Sequence, residues 1–220
     1  MDTVARFSKL LRKVGICKAE IPFICSDLIN AYQEPGRFYH NLNHVTSCLE
    51  ELDSFVEKQD WLEPESINAI ELAIFYHDYV YDPFSKINEK ESAVQAARDL
   101  SILEVKDCYL IDRVFNTIIL TEHRYAVEEN FMAVMTDIDL SILGKNTRIF
   151  SKYNREIRLE YQAVEDSVYK ENRKIFLEGM LNRRRKIFCL EYFQNKYEER
   201  ARYNIKNAIE ELSKKDSRQK

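Results

Sequence analysis

Apolar residues recur along most of this chain at intervals of three and four, the period of a helix that buries one face. Val4, Phe7, Leu10, Leu11 and Val14 form the first stripe and stop at Gly15. Ile21, Ile24, Cys25, Leu28, Ile29 and Tyr32 form the second and stop before Pro35-Gly36. A third runs through Val45, Cys48, Leu49, Leu52, Phe55 and Val56, which draws His44, and His40 before it, into that helix's first turns. Pro64 suits the opening turn of a fourth helix, carrying Ile67, Ile70, Ala73 and Ile74 toward His77. The stretch VYDPFSKI then reads as a loop. Asn88, with Glu91 three residues on, reads as an N-cap and capping-box partner for a helix over 89–101.

Two more apolar stripes follow, one through Leu110, Ile111, Val114, Phe115, Ile118 and Ile119, the other through Phe131, Val134, Met135 and Ile138, fading toward Gly144. From 147 the pattern is charged and helical to about 182, and again over about 194–214. No repeat or low-complexity linker interrupts it. The expectation is an all-α, single-domain bundle over residues 1–214, with KDSRQK at 215–220 as a frayed tail.

Composition sharpens that expectation. Four Gly and four Pro in 220 residues leave little material for hairpins, and 45% hydrophobic with 32% charged residues is an ordinary soluble balance. A net charge of -4 disfavours a nucleic-acid polymer or an anionic membrane as partner, while leaving room for a local basic pocket that holds one phosphate. Five cysteines, scattered and never spaced C-x-x-C, read as reduced and mostly buried thiols. The N-terminal stretch has helical spacing rather than a secretory h-region, and no apolar run reaches the length of a membrane span, so a cytoplasmic location is expected.

Against this background four polar residues stand out because each sits on an apolar helix: His44, the adjacent pair His77-Asp78, and Asp139 in TDIDLSILG. Such groups cost free energy in a helical core unless paired or bound to metal. Two imidazoles and two carboxylates suit a divalent ion of the Mn, Fe, Co, Ni, Zn or Mg kind, and no cysteine accompanies them. The plainer readings are a capping or surface His44, an incidental His-Asp dipeptide, and Asp137 and Asp139 solvated near a helix end. Asp there opposes the helix dipole and so asks for a further reason. His77 and Asp78, about 100° apart round a helix, reach one ion together only near a helix end.

In order along the chain, HNLNH, FYHDYVYDP and DIDLSILG resemble the H…HD…D signature of the HD-domain superfamily, helical metal-dependent phosphohydrolases. More narrowly, GRFYHNLNHV, AIFYHDYVYDPFSKINEKESA, DIDLSILG, IRLEYQAVEDSVY and ARYNI together look like a family of predicted metal-dependent HD phosphohydrolases whose substrate is not established. The resemblance covers nearly the whole chain. It implies an HD-type bundle with His44, His77, Asp78 and Asp139 as metal ligands, Asp137 being the competitor for the last place. YHNLNH is also similar to the YHNxxH motif of the cyclic-nucleotide phosphodiesterases, where the first histidine protonates the leaving oxygen, and this implies His40 as general acid. On a helix His40 and His44 would share a face, about 5–6 Å apart at Cβ; the plainer reading is a hydrogen bond near the helix start. The phosphodiesterases' purine-clamping glutamine and aromatic pair are not identifiable, so their substrate is not carried over.

His123 could complete a second metal site, bind phosphate, or be an exposed helix-end residue, and one histidine where di-iron members use two argues against an oxygenase. For the phosphate oxygens Arg37 is the first guanidinium candidate, with Arg124 and Arg158 behind it and most other arginines, as in NRRRK, on solvated faces. Asp82, Asn88, Glu89 and Ser92 match the narrower family's motif, with capping and loop structure as the plainer reading. The expected activity is hydrolysis of a small phosphate ester by metal-activated water; the alternative is a non-catalytic metal-containing module that senses a nucleotide or other phosphate.

Overall fold

A computed structural model describes residues 2–16, 19–103, 105, 107–124, 127, 129–182 and 186–214. Among these the protein is all-α, with no strand. The helices are α1 (Thr3–Lys13), α2 (Ile21–Tyr32), α3 (Leu42–Val56), α4 (Pro64–Tyr76), α5 (Asn88–Ile102), α6 (Cys108–Ile119), α7 (Asn130–Leu140), α8 (Thr147–Glu160), α9 (Asp166–Leu181), α10 (Glu191–Phe193) and α11 (Glu199–Ser213). Short 3₁₀ turns follow α6 (Leu120–Glu122) and α7 (Ser141–Gly144), and a π-helical turn, Gln194–Glu198, joins α10 to α11. No helix among the described residues is long and apolar enough to cross a membrane. The contacts divide the chain into two compact units, parting between Asp139 and Leu140.

In the first unit α4 is the central element. Ala69, Ile70, Leu72, Ala73, Ile74, Phe75 and Tyr76 are fully buried, a helix apolar on nearly all sides because α1, α3, α5 and α6 all pack against it. Each large side chain so buried contributes on the order of 1.5–3 kcal/mol of transfer free energy. Phe75 meets Phe7 of α1 with ring centroids 4.5 Å apart. Arg6 ties α1 to both neighbours through ion pairs to Asp53, at 2.7 Å, and to Glu71. Pro64 opens α4 as expected, and the helix stops at Tyr76, delivering His77 at its C-cap.

In the second unit α11 packs against α9 and the Ser141–Gly144 turn. Asn204 of α11, buried, donates to the carbonyls of Leu143 and Lys145 at 2.9 and 2.8 Å. Gly144 is required where it stands: a Cβ there would come within 2.5 Å of Tyr197 Cβ. In the π-turn, Glu198 accepts the backbone N–H groups of Ile187 and Phe188 at 3.0–3.2 Å and pairs with Arg202 at 2.7 Å.

Several boundaries differ from the periodic reading. The charged stretch expected to run unbroken from 147 to about 182 turns back at 161–165, where Glu165 caps α9 by accepting from Ser167 and Val168. Asn88 does not cap α5. It is already helical, and its side chain pins the preceding loop by exchanging hydrogen bonds with the Asp82 backbone at 3.0 and 2.8 Å. Of the described cysteines Cys25 and Cys48 are buried and Cys108 and Cys189 exposed, none in a disulfide; Cys17 lies outside the described residues, as do Arg183–Arg185 and the tail from 215.

Candidate metal centre

His44 stands on the first turn of α3, after the N-cap Asn41, and is buried. His77, also buried, is the C-cap of α4, and Asp78 follows it into the turn. Ending the helix at Tyr76 removes the 100° separation that a continuing helix would impose on the pair. Asp139 lies in the last turn of α7, unfavourably placed for the helix dipole unless cations or metal face it.

These side chains converge. The Nε2 atoms of His44 and His77 are 3.0 Å apart. Asp139 Oδ1 lies 3.2 Å from His44 Nε2 and 3.7 Å from His77 Nε2, and Asp78 Oδ2 lies 3.5 and 2.9 Å from the same atoms. His44, His77 and Asp139 form a group that could hold a metal ion, their ligand atoms all within 4.8 Å of one another. The fit is good on two counts. A ligand shell of radius roughly 2.0–2.2 Å has edges of about 2.8–3.6 Å, a range that all of these spacings but the 3.7 Å one occupy. Asp78 Oδ2 is shielded from solvent and makes no hydrogen bond of acceptable angle, leaving an acceptor open beside the two imidazoles.

No family model and no curated protein matches this chain.

The surrounding atoms prepare the group. His77 Nδ1 lies 2.9 Å from the Ile74 carbonyl, an acceptor only, so that nitrogen carries the hydrogen and Nε2 presents its lone pair in the neutral ring. Burial favours the uncharged imidazole, but Asp78 and Asp139 outweigh it and raise His77 to about 9. Asp78 and Asp139 are held well below the usual carboxylate range: burial opposes this, and the neighbouring histidines overcome it. Asp137, fully buried two residues before Asp139, is not in the group.

His123 is neither exposed nor idle. Its Nε2 lies 2.8 Å from Asp139 Oδ2, the oxygen turned away from the two histidines, and so fixes the carboxylate's orientation. It does this from a left-handed backbone, φ 57°, the one non-glycine with positive φ among the described residues. A side-chain contact 16 residues away cannot be read from sequence spacing.

His40 precedes the α3 N-cap, so the shared-face argument for His40 and His44 does not apply. The loop achieves the proximity instead. The His40 ring centroid is 6.0 Å from that of His44 and stacks on Tyr81 at 4.2 Å, while Tyr39 packs on both histidines. His40 also acts electrostatically on Asp78. The contribution of Tyr81 was not singled out from the sequence, although it follows the HD pair by three residues.

Arg37 departs most from expectation. Its guanidinium does not stand open for a phosphate: Nε and Nη2 donate to Glu34 at 3.0 and 2.8 Å, Nη1 to the carbonyls of Asp78 and His40 at 2.5 and 3.4 Å, and Nη2 to that of Tyr79 at 2.8 Å. All five donors are engaged, and the group lies over the rings of Tyr32 and Tyr81. Arg37 is a buried clamp holding the His40 loop to the turn that carries Asp78. Arg124 is largely exposed and paired with Glu122 at 3.2 Å; Arg158, in the second unit, donates to the Tyr161 and Val164 carbonyls. Ser92, fully buried, bonds the backbone of Val80 in both directions and anchors the same turn to α5. Burial raises the Glu89 carboxyl, and Asp78 and Glu122 push it the same way.

Proposed function

We propose that the protein is a metal-dependent phosphohydrolase acting on a small phosphate ester, with His44, His77, Asp78 and Asp139 holding one divalent ion. The observation that carries the reading is the meeting of two Nε2 atoms and two carboxylate oxygens from α3, the end of α4 and α7 at spacings of 2.9–3.7 Å. A divalent ion bound by this N/O set supplies Lewis acidity and lowers the pKa of a bound water toward neutrality. In this reading His40, beside His44 on a loop held by Tyr81 and Arg37, hands a proton to a departing ester oxygen. Arg37 positions that loop and the Asp78 turn rather than touching the substrate. His123 holds Asp139 in orientation.

The engagement of every Arg37 donor favours a second reading, a module that keeps the metal and senses a phosphate without turnover. One experiment separates the two. Purified protein is analysed for metal and screened against phosphomonoesters, nucleotides and phosphodiesters with Mn, Co, Ni and Mg. Turnover that disappears in His77→Ala together with the metal, and that falls in His40→Asn with the metal retained, is the expected result. Metal without turnover on any substrate leaves the sensing module; His77→Ala with unchanged metal content overturns the site itself.

A further inference from the structure

The hairpin of α8 and α9 contains a cation without a counter-anion. The Arg173 guanidinium lies 5.1 Å from the ring centroids of both Tyr153 and Phe176, and its Nη2 donates to Asn154 Oδ1 at 3.1 Å. Its Nε is shielded from solvent and donates to nothing among the described residues. Among the described residues no carboxylate lies within ion-pair distance of it; the guanidinium hydrogen-bonds the Tyr153 phenol, and the phenols of Tyr169 and Tyr161 act on it from further off. A guanidinium stays charged at any physiological pH, and aromatic faces ease that charge without giving Nε–H an acceptor.

A second donor is open beside it. Tyr169, four residues earlier on α9, is buried as a residue, but its hydroxyl is not one of the shielded polar atoms left without a partner and so reaches solvent. Burial raises its pKa, so the group remains an O–H donor. Its ring is held under the guanidinium of Arg158 at 4.6 Å, whose own donors are taken by the Tyr161 and Val164 carbonyls and whose Nε lies 3.4 Å from Asp166. The unit as a whole is basic in sequence, while the hairpin itself, residues 147–181, holds 7 Lys and Arg against 6 Asp and Glu. Residues 140–220 hold 20 Lys and Arg against 12 Asp and Glu, a balance of +8, whereas residues 1–139 hold 13 against 25, a balance of -12.

We propose that the α8–α9 hairpin binds an oxyanion of the phosphate class, received by the Arg173 Nε–H and the Tyr169 O–H. A multiply charged tetrahedral oxyanion matches donors from a guanidinium edge and a phenol better than a singly charged carboxylate does. The site uses none of the metal centre's residues.

The test uses the full chain stripped of metal by chelator, titrated with inorganic phosphate at constant ionic strength and followed by calorimetry and by the arginine Nε–H signals in NMR. Saturable binding that shifts the Arg173 signal is expected. Arg173→Gln should weaken it by about tenfold or more, the loss of a charge-assisted hydrogen bond, and Tyr169→Phe, which keeps the ring under Arg158, by at least about threefold. Should Arg173→Gln fail to fold, Tyr169→Phe decides alone. Phosphate acting no differently from chloride, binding that survives the substitutions, or acetate binding as tightly as phosphate each overturns the proposal.

Discussion

His77 faces two carboxylates that keep it protonated to about pH 9, so in chelator-treated protein a metal must displace a proton from its Nε2. The sign of the linkage follows. Because its folded pKa is raised above the ordinary 6.5, protonated His77 contributes stability to the metal-free fold below about pH 6.5, and that contribution is lost as pH rises through about 9. Metal affinity runs the other way. Competition with a chelator should show it rising about tenfold per pH unit between 7 and 8, with release of about one proton on binding; an affinity flat across that range would show that His77 is not a ligand. His123 allows a second separation. Substitution by Asn, which tolerates the left-handed backbone, or by Gly, which relaxes it, removes the hold on Asp139 in either case. Both should lower metal affinity by about 10–100-fold, while Gly costs the fold less, as paired metal titrations and urea melts would reveal. At this scale His44, His77, Asp78 and Asp139 stand out in the chain as polar residues on apolar stripes, but it is the resemblance to the HD signature that gives them one role. The role of Arg37 could not be read from the chain, since its acceptors at Asp78 and Tyr79 are backbone carbonyls with no mark in the sequence.

The helices themselves follow from apolar spacing wherever one face is buried, and α2 begins and ends with its stripe, at Ile21 and Tyr32. Where spacing is ambiguous the reading fails for identifiable reasons. The break between α8 and α9 is set by Glu165 capping the new helix and by Arg158 binding the turn's carbonyls, neither of which disturbs the charge pattern. The start of α3 is set by the Asn41 side chain accepting from Asn43, which leaves His40 outside a helix whose period it nevertheless matches. The close approach of the Ser141–Gly144 turn to the π-turn yields the prediction at this scale. Gly144→Ala forces Cβ against the Tyr197 side chain and should cost about 1–3 kcal/mol in denaturant unfolding. No change would mean that the π-turn yields at no cost.

For the molecule as a whole, the all-α architecture is legible in the scarcity of Gly and Pro and the run of amphipathic stripes, while the division at Asp139 is not, because α7 carries its apolar pattern across it. The uneven charge of the two units is equally hidden in a net of -4. Its consequence is chromatographic. A resin responds to the local field of the surface it touches, screened within about 10 Å at 0.1 M salt, rather than to a chain's isoelectric point. At pH 7 and low ionic strength the protein should therefore be retained by an anion exchanger through residues 1–139 and also by a cation exchanger through residues 140–220, despite a pI near 5.7. Both should release it at moderate salt, and passage straight through the cation exchanger would show that the basic half offers no exposed field. The same polarity makes two copies attractive to one another in dilute buffer, so light scattering should find association below about 0.05 M salt that dissolves as salt is added.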